Sequence, residues 1–288
     1  MKAKDALNGA LRRSVGYELR KAGRRPRQRG LGPRLVTAPA FVLCPTRSGS
    51  TLLRVLLDSH SQIHAPQELH LRDIAVTIGS EYSGRALKES GLDERTLRFL
   101  LWDRILHREL EVSDKRLVVN KTPNDVLIAP DIIECWPDAR FIFLLRHPGA
   151  IARSRQETRS QDGPAKNAKM VRIYGEALEK ARHEYPGLTV RYEELASEPE
   201  RVTRELCAFL GVPWEPAMID YGRFDHGRYK VGLGDWKDRI RSGRVQAPEP
   251  PPPVEDIHPS LLGLCRAWGY LPPLAPAAPP PAAAPTTG

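Results

Sequence analysis

Cysteine is scarce in this chain. Four in 288 residues, with no CxxC pair among them, exclude a disulfide-dense scaffold. No His/Cys cluster has metal-ligand spacing, so no metal is expected. Cys44, Cys135, Cys207 and Cys265 are read as scattered buried thiols of a reducing compartment. Long apolar runs are also missing. Nothing reaches the 18 or so apolar residues of a transmembrane helix, and no apolar stretch follows the basic N-terminus as it would in a secretory signal. A cytoplasmic location is expected.

An excess of one charge is missing from most of the chain. The sequence carries 44 basic and 35 acidic residues, a net of +9 with a pI near 9.5. Eleven of the basic residues, but only the acids Asp5 and Glu18, lie in residues 1–34. The other 254 residues hold 33 of each sign and are neutral overall. The high pI therefore describes an N-terminal arm and not a nucleic-acid-binding domain, and any anion site in the rest must be local. In the arm, Ala3, Leu7, Leu11, Val15 and Leu19 recur every four residues among Arg and Lys. It reads as a marginal lead-in, as a basic amphipathic helix that touches a membrane surface or an acidic partner, or as a mitochondrial-type presequence. At the other end, residues 271–288 are a Pro/Ala-rich tail expected to be disordered.

Between them, residues 35–270 alternate short apolar runs with longer helical patterns. Strands are expected at Ala40–Cys44, Arg116–Val119, Arg140–Leu145 and Leu188–Tyr192. Helices are expected at Ser50–Ser59, in pieces over 67–112 with breaks at "GSEYSG" and "SGLD", and at Asn124–Cys135, 148–160, 165–183, Glu198–Leu210 and Pro259–Trp268. This alternation predicts a three-layer α/β/α domain with a central parallel sheet.

The stretch "FVLCPTRSGSTLLRVLLDSH", 41–60, reads as strand, glycine-bearing turn and helix, the build of a phosphate-binding loop. Aligned on GxxxxGK[ST], however, it has Ser50 where a nucleotide-binding loop has lysine, although Thr51 keeps the hydroxyl. The positive side chain is Arg47, inside the turn. Backbone N–H groups of Ser48–Thr51 still form an anion cradle, suited to one phosphate and a transferring group. In "FIFLLRHPGAIARSR", Arg146 closes a strand and Ser154 follows eight residues later on a helix. Both can reach the crevice above the sheet edge and suit a second phosphate.

"CPTRSGST", "FIFLLRHPGAIARS" and "YKVGLGDWK" together resemble the 5′-phosphosulfate loop, the 3′-phosphate motif and the closing motif of sulfotransferases. These enzymes use PAPS, 3′-phosphoadenosine 5′-phosphosulfate. "HAPQELHLRDI" and "GLGDWKDRIRSGRVQ" are similar in particular to sulfotransferase domains of olefin-forming polyketide synthases and their bacterial relatives. The resemblance spans roughly residues 38–270 and implies a 5′-phosphosulfate loop of the phosphate-binding type. It implies Arg47, Ser48, Gly49, Ser50 and Thr51 at the phosphosulfate, Arg146, Ser154, Lys230 and the Gly232 backbone at the 3′-phosphate, and Tyr192 near the adenine. It departs from the family at Leu52, where many cytosolic members carry an adenine-stacking Trp.

Two candidate bases, Glu68 and His70, lie two residues apart; they share a face only if the segment is extended. The resemblance implies Glu68 as base, with His70 next. A carboxylate buried there without a partner would have a raised pKa, which suits that work. Lys121 resembles the lysine that stabilises the bridging oxygen, while Pro123 stands where the cytosolic enzymes carry a catalytic His. The lone histidines have no ligand spacing and are read as structural or surface residues, with His64 and His226 as further acceptor-side candidates. The expected activity is sulfuryl transfer from PAPS to a hydroxyl of a small-molecule, lipid, glycan or carrier-bound metabolite. A kinase-like phosphotransferase and a non-catalytic nucleotide or sulfated-ligand module are the alternatives.

Overall fold

A computed structural model of the chain describes residues 32–226 and 238–273. The arm through residue 31, the tail from 274, and Lys230 and Gly232 lie outside the described residues. The fold grows from period-two burial in β1, Ala40–Leu43, whose four side chains are all buried. Phe41 and Leu43 enter one apolar cluster, whereas Ala40 and Val42 enter another on the opposite face. A strand buried on both faces must be covered by helices on both.

The order is β1, α1 (Ser50–Asp58), β2 (Ile63–His64), α2 (Glu81–Glu89), α3 (Glu94–Ser113), β3 (Leu117–Lys121), α4 (Ala129–Cys135) and β4 (Arg140–Leu145). Then come α5 (Pro148–Thr158), α6 (Gly163–Glu184), β5 (Gly187–Arg191), α7 (Tyr192–Ser197), α8 (Pro199–Leu210), α9 (Asp238–Arg241) and α10 (Leu262–Ala267). The sheet order is β2-β3-β1-β4-β5, every pairing parallel. On one face Phe99, Trp102 and Leu106 of α3 and Leu178 of α6 cover Phe41, Val118 and Phe141. On the other, Leu53 and Leu56 of α1 and Leu206 of α8 cover Val42, Val119 and Ile142. Trp102 and Trp136 are fully buried and stack at 6.4 Å. Truncation of either to Ala is expected to cost about 3–5 kcal/mol.

The chain leaves β1 towards β3 and returns past β1 to reach β4, so the connections diverge above β1. The C-terminal ends of β1, β3, β4 and β5 share one edge, where ligands bind in such sheets.

Several sequence expectations need correction. The helix expected at Asn124–Cys135 is a 3₁₀ segment, Pro123–Ile128, followed by α4. Region 67–112 begins without helix: 67–70 are irregular, Leu71–Asp73 is one 3₁₀ turn, and α2 starts only at Glu81. "GSEYSG" is no break, because Ser80 caps α2 by accepting from the Ser83 N–H and the helix runs through Gly84. Strand β2 was not anticipated; two residues carry too little periodicity to see. β5 stops at Arg191, and Tyr192 opens α7. Among the described residues, no helix is long and apolar enough to cross a membrane.

Candidate active site at the sheet edge

The turn after β1 is bent by two residues with positive φ, Arg47 at 73° and Gly49 at 81°. A side chain at Gly49 is barred twice over. The backbone is left-handed there, and a Cβ would lie 2.2 Å from Cδ2 of Tyr192. Gly49 is the N-cap of α1 and offers no capping side chain. The positive end of α1 therefore faces the turn without an intrinsic acceptor. Ser48 Oγ, fully buried, has no hydrogen-bond partner among the described residues. A buried hydroxyl left in this way is unusual and costs free energy unless something else satisfies it.

Arg146 follows β4 directly. Its Nη1 donates to the Arg47 carbonyl at 2.8 Å, and its guanidinium lies 4.5 Å from the centre of the Tyr192 ring. Burial pushes its pKa down, with Tyr192 and Glu193 opposing. Among the described residues no carboxylate lies within ion-pair distance of Arg146. Arg47 Nε donates to Ser154 Oγ at 3.2 Å, across from α5. The turn, Arg146, Ser154 and Tyr192, which the sequence reading grouped together, thus meet.

The third part comes from β3. Lys121 is its last residue and only 1% exposed, and its ammonium donates to Glu68 Oε1. Glu68 Oε2 lies 3.5 Å from His70 Nε2. The segment is not helical, and the left-handed φ of His70, 49°, turns the chain so that both side chains line the same cavity. Glu68 is therefore not the lone buried carboxylate considered from sequence: Lys121 and His70 flank it. Behind them Asp125 is fully buried, accepts from Asn120 Nδ2 at 2.6 Å, and leaves Oδ1 without a partner. Burial, then the charges of Glu68 and Asp73, raise its pKa well above the usual range.

These groups surround a cavity of about 460 Å³. Its wall includes Arg47, Gly49, Ser50, Thr51, Glu68, His70, Arg146, Ser154 and Tyr192. Sequence reasoning missed Thr46, Asn124, Arg155, Arg159, Tyr221 and Arg244, which also line it. Arg155 had a signal, since it directly follows Ser154 in "ARSR"; Tyr221 and Arg244 belong to no pattern. His64 and His226 do not line the cavity. They lie at the other end of α1, where His226 Nδ1 is 2.9 Å and His64 Nδ1 3.5 Å from Asp58. Among the described residues no group of three or more His, Cys, Asp or Glu is arranged to hold a metal.

The chain resembles known proteins over this same region. A family model described as "Sulfotransferase family" matches residues 39–216. A protein-tyrosine sulfotransferase of Drosophila melanogaster is 26% identical over 197 residues, 62% of this chain and 39% of that protein. The chain spans from about a quarter to about half the length of curated relatives it matches. Among solved structures, the sulfotransferase domain from the curacin biosynthetic pathway superposes with a TM-score of 0.59 at 22% identity, covering 83% of this chain and 99% of that one. That of the Synechococcus PCC 7002 olefin synthase gives 0.58 at 23%, covering 88% and 100%. These likenesses establish the fold, and the family match, which takes in the turn, Glu68, Lys121, Arg146, Ser154 and Tyr192, establishes that the chain belongs to the sulfotransferase family.

Proposed function

We propose that the chain transfers a sulfuryl group from PAPS to an acceptor hydroxyl. The observation that carries this reading is that Arg47 ties the turn after β1 to Arg146 and Ser154. Its backbone carbonyl accepts from Arg146 and its side chain donates to Ser154, while the turn it belongs to leads into the uncapped end of α1. A donor with phosphates at both 3′ and 5′ positions suits such an arrangement; a nucleoside triphosphate needs a lysine at Ser50 and a metal-holding acid, and β3 and β4 end instead beside Lys121 and Arg146. The residues present fit the donor: among the described residues Ser48 Oγ lacks a partner, α1 lacks a side-chain cap, and Arg146 has no carboxylate within ion-pair distance.

Arg47 and the Ser48–Thr51 backbone would hold the phosphosulfate, and Arg146 and Ser154 the 3′-phosphate. Tyr192 would stand by the adenine; its packing against Gly49 and under Arg146 fixes its ring. PAPS supplies the sulfuryl group on a phosphate that leaves readily. With the donor bound, the acceptor oxygen would take the sulfuryl group, the phosphate would leave, and the hydroxyl proton would pass to Glu68. Oε1 is engaged by Lys121, which leaves Oε2 for that proton and His70, a third exposed, to pass it to solvent. Lys121 brings positive charge to the oxygens that gain negative charge. Lys230 and Gly232 would complete the 3′-phosphate site.

Titration of the full chain with PAP, the desulfated donor, tests the reading. Binding at about 10 µM or tighter without metal, and ATP with Mg²⁺ at least about tenfold weaker, is the expected result. The reverse order would overturn it. Sulfate transfer from labelled PAPS to an acceptor library then identifies the hydroxyl.

A further inference from the structure

Beyond the groups assigned to donor and base, the cavity wall carries a cationic pair with no assigned task. Arg155 and Arg159 sit four residues apart at the end of α5, and both line the cavity. Arg155 is only 6% exposed. Its Nη1 donates to Thr46 Oγ1 at 2.5 Å, and its Nε has no partner. Among the described residues, no carboxylate lies within ion-pair distance of either arginine. Asp162, whose carboxyl feels both, is held by Lys166 at 2.7 Å. Burial and the like charges of Arg159 and Arg47 act against the charged form of Arg155. A buried cation without a counter-ion is costly, so a site that keeps one implies an anion that arrives from outside.

The position of the pair indicates which molecule brings that anion. Thr46 precedes the anion turn, whose cradle begins only at Ser48. Arg155 follows Ser154, which already engages Arg47. Arg155, Thr158 and Arg159 are outside the set proposed for the donor, yet they line the same cavity as Glu68 and His70. An acceptor that brings its hydroxyl to Glu68 enters this same cavity.

We propose that Arg155 and Arg159 form an oxyanion-binding acceptor subsite, so that the natural acceptor carries a carboxylate or phosphate beside the hydroxyl that is sulfated. This rests on the proposed sulfotransferase function. A planar guanidinium held by Thr46 is preorganised to take a carboxylate or phosphate edge-on, and such charge-assisted bonds are among the stronger ones available.

The test uses the PAP-saturated full chain and two matched pairs of hydroxylated probes, 3-hydroxybutyrate with its methyl ester and glycerol 3-phosphate with glycerol, with binding read by ligand-observed NMR. In at least one pair the anionic member is expected to bind about tenfold tighter than the neutral one. Arg155→Gln is expected to abolish that preference, Arg159→Gln to reduce it, and both variants to keep the PAP affinity within about twofold, which also reports that they fold. The pair that discriminates identifies the anion as carboxylate or phosphate. Equal binding within both pairs, no binding of either anion up to about 10 mM, an undiminished preference in Arg155→Gln, or a fall in PAP affinity in that variant would overturn the proposal. Failure of the wild-type chain to bind PAP would instead overturn the donor reading.

Discussion

The two ends of helix α1 treat polar groups in opposite ways. At its N-terminus, Gly49 supplies no cap and, among the described residues, Ser48 Oγ is buried without a partner and Arg146 stands over Tyr192 with no carboxylate within ion-pair distance. At its C-terminus, Asp58 accepts from His226 Nδ1 at 2.9 Å and from the Ala65 N–H at 3.0 Å, with His64 at 3.5 Å and Lys115 at 3.7 Å. His226 in turn meets the Tyr221 carbonyl at 2.9 Å and Ser59 Oγ at 3.3 Å. An acid at a helix C-terminus opposes the dipole, and this network of cations and donors compensates it. Both ends are rich in chemistry-bearing residues; only one is left open. Unsatisfied groups, more than polar residues as such, mark where a ligand belongs.

The largest expected effect breaks the open end chemically. Glu68→Gln keeps the shape of the side chain but removes the proton acceptor. Sulfate transfer should fall by about 10²–10⁴-fold while PAP affinity holds. A single-turnover assay beside a calorimetric titration checks this, and unchanged transfer would move the base to His70. Next comes Gly49→Ala. With the Cβ 2.2 Å from the Tyr192 ring and φ at 81°, turn or ring must shift. PAP affinity should fall about 100-fold, or about 2.7 kcal/mol, because the anion turn and its neighbour move together. The equivalent change at half-buried Gly84, where a Cβ meets nothing within 4 Å, should leave it unaltered.

How much of this was legible in the sequence follows the same division. The α/β/α layering could be read because β1, β3 and β4 are runs of buried apolar residues flanked by helical periodicity. The anion turn could be read because glycine after a strand and before a helix has few other uses. The pairing of Lys121 with Glu68 could not, because it joins residues 53 apart through a segment with no regular structure. The structural role of His64 and His226 could not be told from an acceptor-side one for a related reason. A lone histidine in sequence carries no sign of whether its ring will meet a substrate or a buried carboxylate 168 residues away. Region 67–80 was read as helical because its spacing of Leu and Ile imitates a helix, whereas Leu71 is in fact buried from a single 3₁₀ turn.

At the closed end the expected loss is of stability alone. Asp58→Asn leaves His226 and Lys115 without their carboxylate and should cost about 2–3 kcal/mol, seen as a lower urea midpoint. PAP affinity should stay within about twofold, since the helix itself keeps its fold. Loss of donor binding in proportion to stability would mean that the two ends are not separable.

The smallest effect lies in the pH dependence of stability, and here half-buried Asp58 and buried Asp125 should pull in opposite directions. Burial alone would raise the Asp58 pKa, but hydrogen bonds from His226, His64 and the Ala65 N–H, with the charge of Lys115, hold it well below the usual carboxylate range. A depressed folded pKa adds stability above the unfolded value near 3.8, lost as pH falls below it. Asp125 has the reverse sign, since burial and the charges of Glu68 and Asp73 raise it. Its contribution is full below the unfolded value and fades as pH rises through the folded one. Denaturation curves from acid to neutral pH should therefore show less acid sensitivity in Asp58→Asn. In Asp125→Asn, stability should rise more steeply with pH above about 4 than it does in the wild type, because the opposing contribution is gone. Parallel curves for both variants would mean that the carboxylates at the two ends are held alike, and the contrast between an open and a closed end of α1 would lose its electrostatic half.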